Sequence, residues 1–260
     1  MTQHMTVSDP RRFVGWLAVI GAVLAWSMAV LYAAAANFDF EVLERPVAML
    51  GFTPGSQNLF RLSMWADILG WYLPFLAVGG YLWGRMRQRV GALADIALTG
   101  VVAYAMLGII GAGMLNLTLA PLAGLHSGND PMARAAAEAI WPTLQNAAQG
   151  IWNAEAPFLL LWGIGTARFL RAEKWSFGRL LTFDLCVFGI EFILNLSGWQ
   201  ALAEMALQLT LVIHPLWLFL FGISLLRERA RPSRAQGWRQ PPDIQVRNPP
   251  ISAAPPRVER

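Results

Sequence analysis

Apolar residues fall along this chain in six long blocks, at roughly 13–36, 62–84, 90–119, 145–168, 177–199 and 201–226. Each is about 20 residues or longer, the length an α-helix needs to cross a hydrocarbon core of about 30 Å. The blocks predict an all-α fold: a polytopic membrane helical bundle of six transmembrane helices. Almost nothing separates the last two blocks, so they should form a tight antiparallel hairpin. The longer connections are 37–61 and 120–144. The first contains "FDFEVLERPVAMLGF", apolar enough to lie in the membrane interface. The second contains "NDPMARAAAEAIWP", where Asp130 suits a helix N-cap and Pro131 the first helical position. A short external helix closed by Pro142 is expected there.

Within the blocks, polar residues recur at helical spacing. Successive helix residues turn by about 100°, so positions three, four, seven or eleven apart share a face. Asp184, Glu191 and Asn195 share a face of the fifth span, and Glu204, Gln208, Leu211 and Pro215 one of the sixth. Asn146, Gln149, Asn153 and Pro157 do so in the fourth, and Asp67, Gly70 and Pro74 in the second. Each even-numbered span therefore carries a proline on its polar face. Proline has no N–H, so it frees the carbonyl four residues earlier, here that of Gly70, Asn153 or Leu211. Such a carbonyl is tolerated in a membrane only inside protein or beside a watery cavity. In each even span an arginine follows the proline after eleven or twelve residues (Arg85, Arg168, Arg227), which suggests a weak threefold hairpin repeat. "QGIWNAEAPFLLLWG" adds a complication: Glu155 lies about 200° from Asn153 on an ideal helix, so it shares the polar face only if the proline bends the helix.

Six carboxylates lie within the spans: Asp67, Asp95, Glu155, Asp184, Glu191 and Glu204. No Lys or Arg lies well inside any span, and His214 is the only other titratable group near the midplane. An ionisable side chain at the centre of a membrane helix costs at least about 2.5–3.5 kcal/mol, so each is a functional candidate. Asp95 and Asp184 lie where arginines such as Arg168 or Arg179 could pair with them. The rest define a wet, acidic outer half. The candidate ligand- or ion-binding residues are Glu191, Asn153, Gln208, Glu204, Asp67, Asn195, Gln149, Glu155 and His214, with Glu191 foremost. The competing account is interhelical hydrogen bonding, in which Asn and Gln contribute about 0.6 kcal/mol each on average. It accounts poorly for an acid in midspan.

Charge sets the expected orientation. Of the 20 Lys and Arg residues, 17 fall at Arg11–Arg12, Arg85–Arg89, Arg168–Arg179 and Arg227–Arg260, and only Arg45, Arg61 and Arg134 fall on the opposite side. The positive-inside rule then puts both termini in the cytoplasm. Trp65, Trp141 and Trp199 on one side and Trp83 and Trp175 on the other would form aromatic belts. The first block has a basic start like a secretory signal, but exceeds the about 7–15 apolar residues of one and is expected to be retained. Its Ala25, Ala29 and Ala33 offer a small-residue packing face. Residues 1–12 form a cytoplasmic tail, 13–226 the membrane domain and 227–260 a Pro/Arg-rich tail expected to be disordered. That tail's arginines are spread out; its expected role is to reinforce topology, with contact to anionic lipid as the alternative.

The chemistry is bounded mostly by exclusion. A pI near 9.8 does not imply nucleic acid, because the basic residues are not gathered into one domain. The lone Cys186 cannot form an internal disulfide and should be a buried apolar filler. Two intramembrane histidines for a bis-His haem are lacking, as are an HExxH run, a P-loop and a dinucleotide fingerprint. Ser63 and Ser197 have no recognisable histidine partner. No cofactor is expected, and an enzyme is the least favoured class. "HSGND", His126 to Asp130, is expected to be an exposed turn and cap. The stretches "WADILGWYLPFLAVGGYLWGR" and "GIWNAEAPFLLLWGIGTARFLR" resemble parts of bacterial six-helix membrane proteins that carry a domain of unknown function. That resemblance implies the six-helix fold and a bacterial inner membrane, and carries no catalytic motif. Two functions remain: ligand- or cation-linked transport or sensing through an outer-half cavity, or a non-catalytic structural or assembly role.

Overall fold

The computed structural model describes residues 10–175 and 177–227, and every element among them is a helix. Residues 1–9 and 228–260 lie outside the described residues, and with them the expectation of a disordered C-terminal tail and its alternative of lipid contact. Helix α1 (Pro10–Ala35) is followed by the short helices α2 (Phe40–Glu44) and α3 (Pro46–Met49). A continuous helical rod then runs through α4 (Pro54–Asp67), one π-helical turn (Ile68–Tyr72) and α5 (Leu73–Val90). The remaining helices are α6 (Ala92–Ser127), α7 (Pro131–Asn153), α8 (Glu155–Ala172), α9 (Phe177–Leu196) and α10 (Gln200–Arg227).

Four of these segments are long and apolar enough to cross a membrane: Pro10–Ala35, Pro54–Val90, Ala92–Ser127 and Gln200–Arg227. Helices α8 and α9, of 18 and 20 residues, each contain three ionisable residues. Glu155, Asp184 and Glu191 among them point inward and are buried, whereas Leu161, Ile164, Phe183, Ile190 and Ile193 are exposed. Large apolar side chains are exposed on α1, α6 and α10 as well, including Trp16, Ile20, Val102, Ile110, Leu209 and Val212. An apolar exterior of this extent is a liability in water and the normal state in lipid. The fold defines a multi-pass helical membrane protein.

Two apolar cores hold the bundle. One joins α1, α5, α6, α8, α9 and α10 around Phe75, Tyr104, Trp162, Trp217 and Phe221. The other joins α3, α4, α6 and α7 around Met49, Phe60, Leu119 and Trp141. Small residues set the closest approaches. A Cβ on Gly70 would lie 2.4 Å from the Ala25 nitrogen, and one on Gly222 2.7 Å from the Gly15 carbonyl. The small-residue seam of α1 is thus Gly15, Ala18, Gly21, Ala22 and Ala25, rather than the face through Ala29 and Ala33.

The loops differ in detail from expectation. Asp130 caps α7 through the Met132 N–H at 2.9 Å, with Pro131 in the first turn. Arg134 donates to the His126 and Gly128 carbonyls, which makes "HSGND" a tied turn and cap. Pro142, however, does not end that helix: α7 continues through it to Asn153, and α6 likewise continues through Pro121. The surrounding packing overrides the local breaker. Trp141 is fully buried against Phe60 rather than part of an aromatic belt. Cys186 is exposed on α9 rather than buried. The α9–α10 hairpin is as tight as expected, turning at Gly198 with φ of 75°.

The arginine-bearing helix ends gather at one end of the bundle. Arg85 stacks on Trp175, Arg89 pairs with Glu173, and Trp175 packs on Phe221. The three even-span prolines behave differently from one another. Pro74 follows the π turn, Pro157 lies in the first turn of α8, and Pro215 sits inside unbroken α10. The local conformations therefore do not repeat.

Candidate functional site

The polar stripes of α4, α7, α9 and α10 converge on one cavity of about 780 Å³. Side-chain packing explains its position. Helix α7 rests on α6, while α10 rests on α1 and α9, so α7 stands apart from the α9–α10 hairpin and a gap is left between them. Gln149 and Asn153 line it from α7, Glu191 and Asn195 from α9, and Glu204 and Gln208 from α10. Asp67, at the end of α4, forms part of the wall. The Leu211 carbonyl position is on this wall too, but Gly70 is not. It is pressed against Gly21 and Ala25 of α1, so its carbonyl faces helix backbone instead of the cavity.

Glu155 joins them because the helix breaks. α7 ends at Asn153 and α8 begins at Glu155, so the angular separation of an unbroken helix does not apply. Pro157 accounts for the break, since it cannot supply the N–H that would continue the ladder. Glu155 is only 3% exposed, and its Oε1 has no hydrogen-bond partner. Its carboxyl interacts with the Tyr72 hydroxyl, and Asp67 and Tyr104 lie close enough to feel its charge. Glu191 is also buried, with Oε2 unpartnered.

The lining is electrostatically one-sided. Among the described residues it contains five carboxylates, Glu44, Asp67, Glu155, Glu191 and Glu204, and no Lys, Arg or His. Aromatic rings add to it, among them Tyr32, Trp71, Tyr72, Tyr104, Trp152 and Phe188. The carboxylates are dispersed over the wall, and no group of three metal-type ligands lies close enough to hold an ion among the described residues. Nor does any side-chain hydrogen bond link α7 to α9 or α10 among the described residues. Gln149 donates instead to Asn153, four residues along its own helix, at 3.1 Å.

His214 does not line the cavity; it lies beneath it. Its ring is sandwiched between Trp71, with centroids 4.8 Å apart, and Phe75, at 4.1 Å. Nδ1 is 2.6 Å from Asp184 Oδ2, and Nε2 is 3.4 Å from the hydroxyl of Tyr104. Tyr104 therefore connects the cavity wall to a His214–Asp184 pair that is completely buried. This corrects the expected pairing of Asp184 with Arg168 or Arg179. Asp184 and Arg179 are five residues apart, about 140° around the helix, so the acid faces α10 while the arginine faces away. Asp95 takes a different arginine as well. The turn at Gly91 folds α6 back on α5, and Asp95 meets Arg87 at 3.2 Å and the Trp83 indole at 2.7 Å. Ser63 donates to the Phe60 carbonyl of its own helix, and Ser197, in the turn just past α9, to the Ile193 carbonyl.

Glu44 and the aromatic wall were absent from the sequence-derived candidates. A signal was present for one of them. Tyrosine favours membrane interfaces, yet Tyr104 occupies the middle of an apolar block; of the four tyrosines in the chain, three line the cavity. No protein-family model, curated protein or solved structure matches this chain.

Proposed function

We propose that this protein crosses the cytoplasmic membrane six times with both termini inside, and that its cavity binds a small organic cation for transport or sensing. Four apolar segments support the multi-pass arrangement. The inward-facing acids and outward-facing apolar residues of α8 and α9 support two more spans. The excess of arginine at one end of the bundle supports the orientation. Under that orientation the cavity occupies the outer half.

The observation that carries the ligand assignment is the composition of the wall among the described residues: five carboxylates, several aromatic faces and no basic side chain. Carboxylates dispersed around about 780 Å³ suit a cation larger than a metal ion, and the volume falls within the about 300–1,000 Å³ of small-molecule sites. Aromatic faces attract ammonium groups by about 0.5–2 kcal/mol each. A purely structural role is less well supported, because among the described residues no side-chain hydrogen bond joins the α7 amides to α9 or α10 across the cavity; Gln145 donates only to Met49 Sδ on α3. The test uses tetraethylammonium as the probe and the uncharged N,N-diethylacetamide as comparator, with thermal unfolding of the detergent-solubilised protein as readout. Saturable stabilisation by the cation alone, lost in Asp67→Asn/Glu155→Gln, is the expected result. Equal effects of both probes, or full retention in a folded double variant, would overturn the assignment.

A further inference from the structure

At the opposite end of α8 from Glu155, 13 residues away and so about 20 Å along the helix, lies a second cavity of about 840 Å³. It is lined by Arg168, Arg171, Ala172, Lys174, Trp175 and Arg179. We propose that this pocket binds the phosphate group of an anionic lipid headgroup.

The local fold brings the cations together. Arg171 lies in the last turn of α8, where a positive charge complements the exposed carbonyls. The chain then turns sharply, with Lys174 at φ of 60° and the Trp175 N–H bonded to the Leu170 carbonyl at 2.9 Å. Gly178 allows α9 to close on α8: a Cβ there would lie 2.8 Å from Arg171 Cγ and 2.9 Å from the Arg171 nitrogen. Arg179 follows at once. The one acid of the turn, Glu173, is engaged by Arg89 and does not line the pocket. None of the four lining cations has a carboxylate partner among the described residues. Arg85, stacked on the Trp175 ring at 5.7 Å, adds a further positive charge beside the wall. Four like charges converging without a counter-ion repel one another, and a phosphate anion relieves that repulsion while accepting several charge-assisted hydrogen bonds.

A second, independent feature selects a lipid as the source of the phosphate. Arg168 and Ile164 are four residues apart on α8, and Arg179 and Phe183 four apart on α9, so each cation shares a helix face with an apolar residue deeper in the bundle. Ile164 is 50% and Phe183 52% exposed. Cations at the helix ends with an uncovered apolar wall directly behind them match a charged headgroup joined to acyl chains. Basic pockets at the ends of membrane helices are a general means of holding such headgroups. The lipid assignment rests on the proposal that α8 and α9 span the bilayer. A soluble phosphate would need the cations alone.

The experiment uses the full chain purified in detergent, with its unfolding temperature followed as phosphatidylglycerol, phosphatidylcholine or inorganic phosphate is added. Phosphatidylglycerol should raise it saturably and phosphatidylcholine should not. In Arg168→Gln/Arg171→Gln/Arg179→Gln the half-maximal lipid concentration should rise by at least about tenfold. Arg134→Gln, at the other end of the bundle, should leave it unchanged. If the triple variant does not fold, the single variants Arg171→Gln and Arg179→Gln should each show a smaller rise in the same direction. Equal protection by both lipids, or an unaltered response in the variants, overturns the site. If inorganic phosphate protects as well as phosphatidylglycerol, the lipid source is overturned.

Discussion

The His214–Asp184 pair allows a quantitative prediction. Replacing His214 with phenylalanine retains a ring between Trp71 and Phe75 while removing the only hydrogen-bonding partner of the Asp184 side chain among the described residues. Both side chains of the pair are completely buried, and Asp184 Oδ1 is already without a partner, so the variant leaves a whole carboxyl group unsatisfied. Breaking a buried pair from one side costs about 3–5 kcal/mol, whereas replacing both members with apolar residues of similar size is often neutral or stabilising. At roughly 2–4 °C per kcal/mol for a chain of this size, His214→Phe should lower the unfolding temperature in detergent by about 6–20 °C. Asp184→Leu should also destabilise, because it strips His214 of its carboxylate. Asp184→Leu/His214→Phe should recover most of either loss. Tryptophan fluorescence during heating, checked by gel filtration of heated samples, measures all three. A His214→Phe melt within about 3 °C of the parent, or a double variant that loses the sum of the two single effects, would refute a coupled buried pair.

A Cβ on Gly108 would overlap the Tyr72 ring, only 1.9 Å from its carbons. Gly108→Ala should cost about 1–3 kcal/mol and weaken tetraethylammonium binding by displacing Tyr72 from Glu155. Gly113→Ala, with no neighbour within 4 Å, should do neither; calorimetric titration and melting separate them. Because α7 runs unbroken through Pro142, Pro142→Ala should stabilise by up to about 3 kcal/mol, and a lower melting temperature would contradict the continuous helix. Cys186 lies on the apolar exterior of α9, so in sealed vesicles it should resist a sulfonated maleimide and react after denaturation in SDS. Prompt labelling in intact vesicles would remove α9 from the membrane.

What could be read in advance depended on whether it was a property of one helix or of several. The long apolar blocks and the seven-residue spacing of Asp184 and Glu191 are set within single helices, and both residues do point inward. Partner choice is a different matter. Whether Asp184 meets an arginine or a histidine depends on which helix lies beside α9, and no periodicity encodes that. Local breakers were read unevenly for the same reason. Pro157 coincides with a break that swings Glu155 into the cavity, whereas Pro142 is accommodated because Trp141 and Ala137 anchor α7 in its core. The convergence of four polar faces followed from each face being inward. The aromatic half of the wall did not, because rings in an apolar block look like ordinary filling until their neighbours are known.

The close seam between α1 and α10 has a consequence for biogenesis. Gly15 and Gly222 meet backbone to backbone, so the first and last long helices of the bundle are immediate neighbours. During synthesis α1 enters the bilayer with its glycine- and alanine-lined face bare, and its mate α10 is made after every other helix among the described residues. The cavity wall contributed by Glu204 and Gln208 arrives with that same segment. The cavity is therefore closed only once α10 is in place, and a nascent chain stalled before α10 lacks both the seam and that wall.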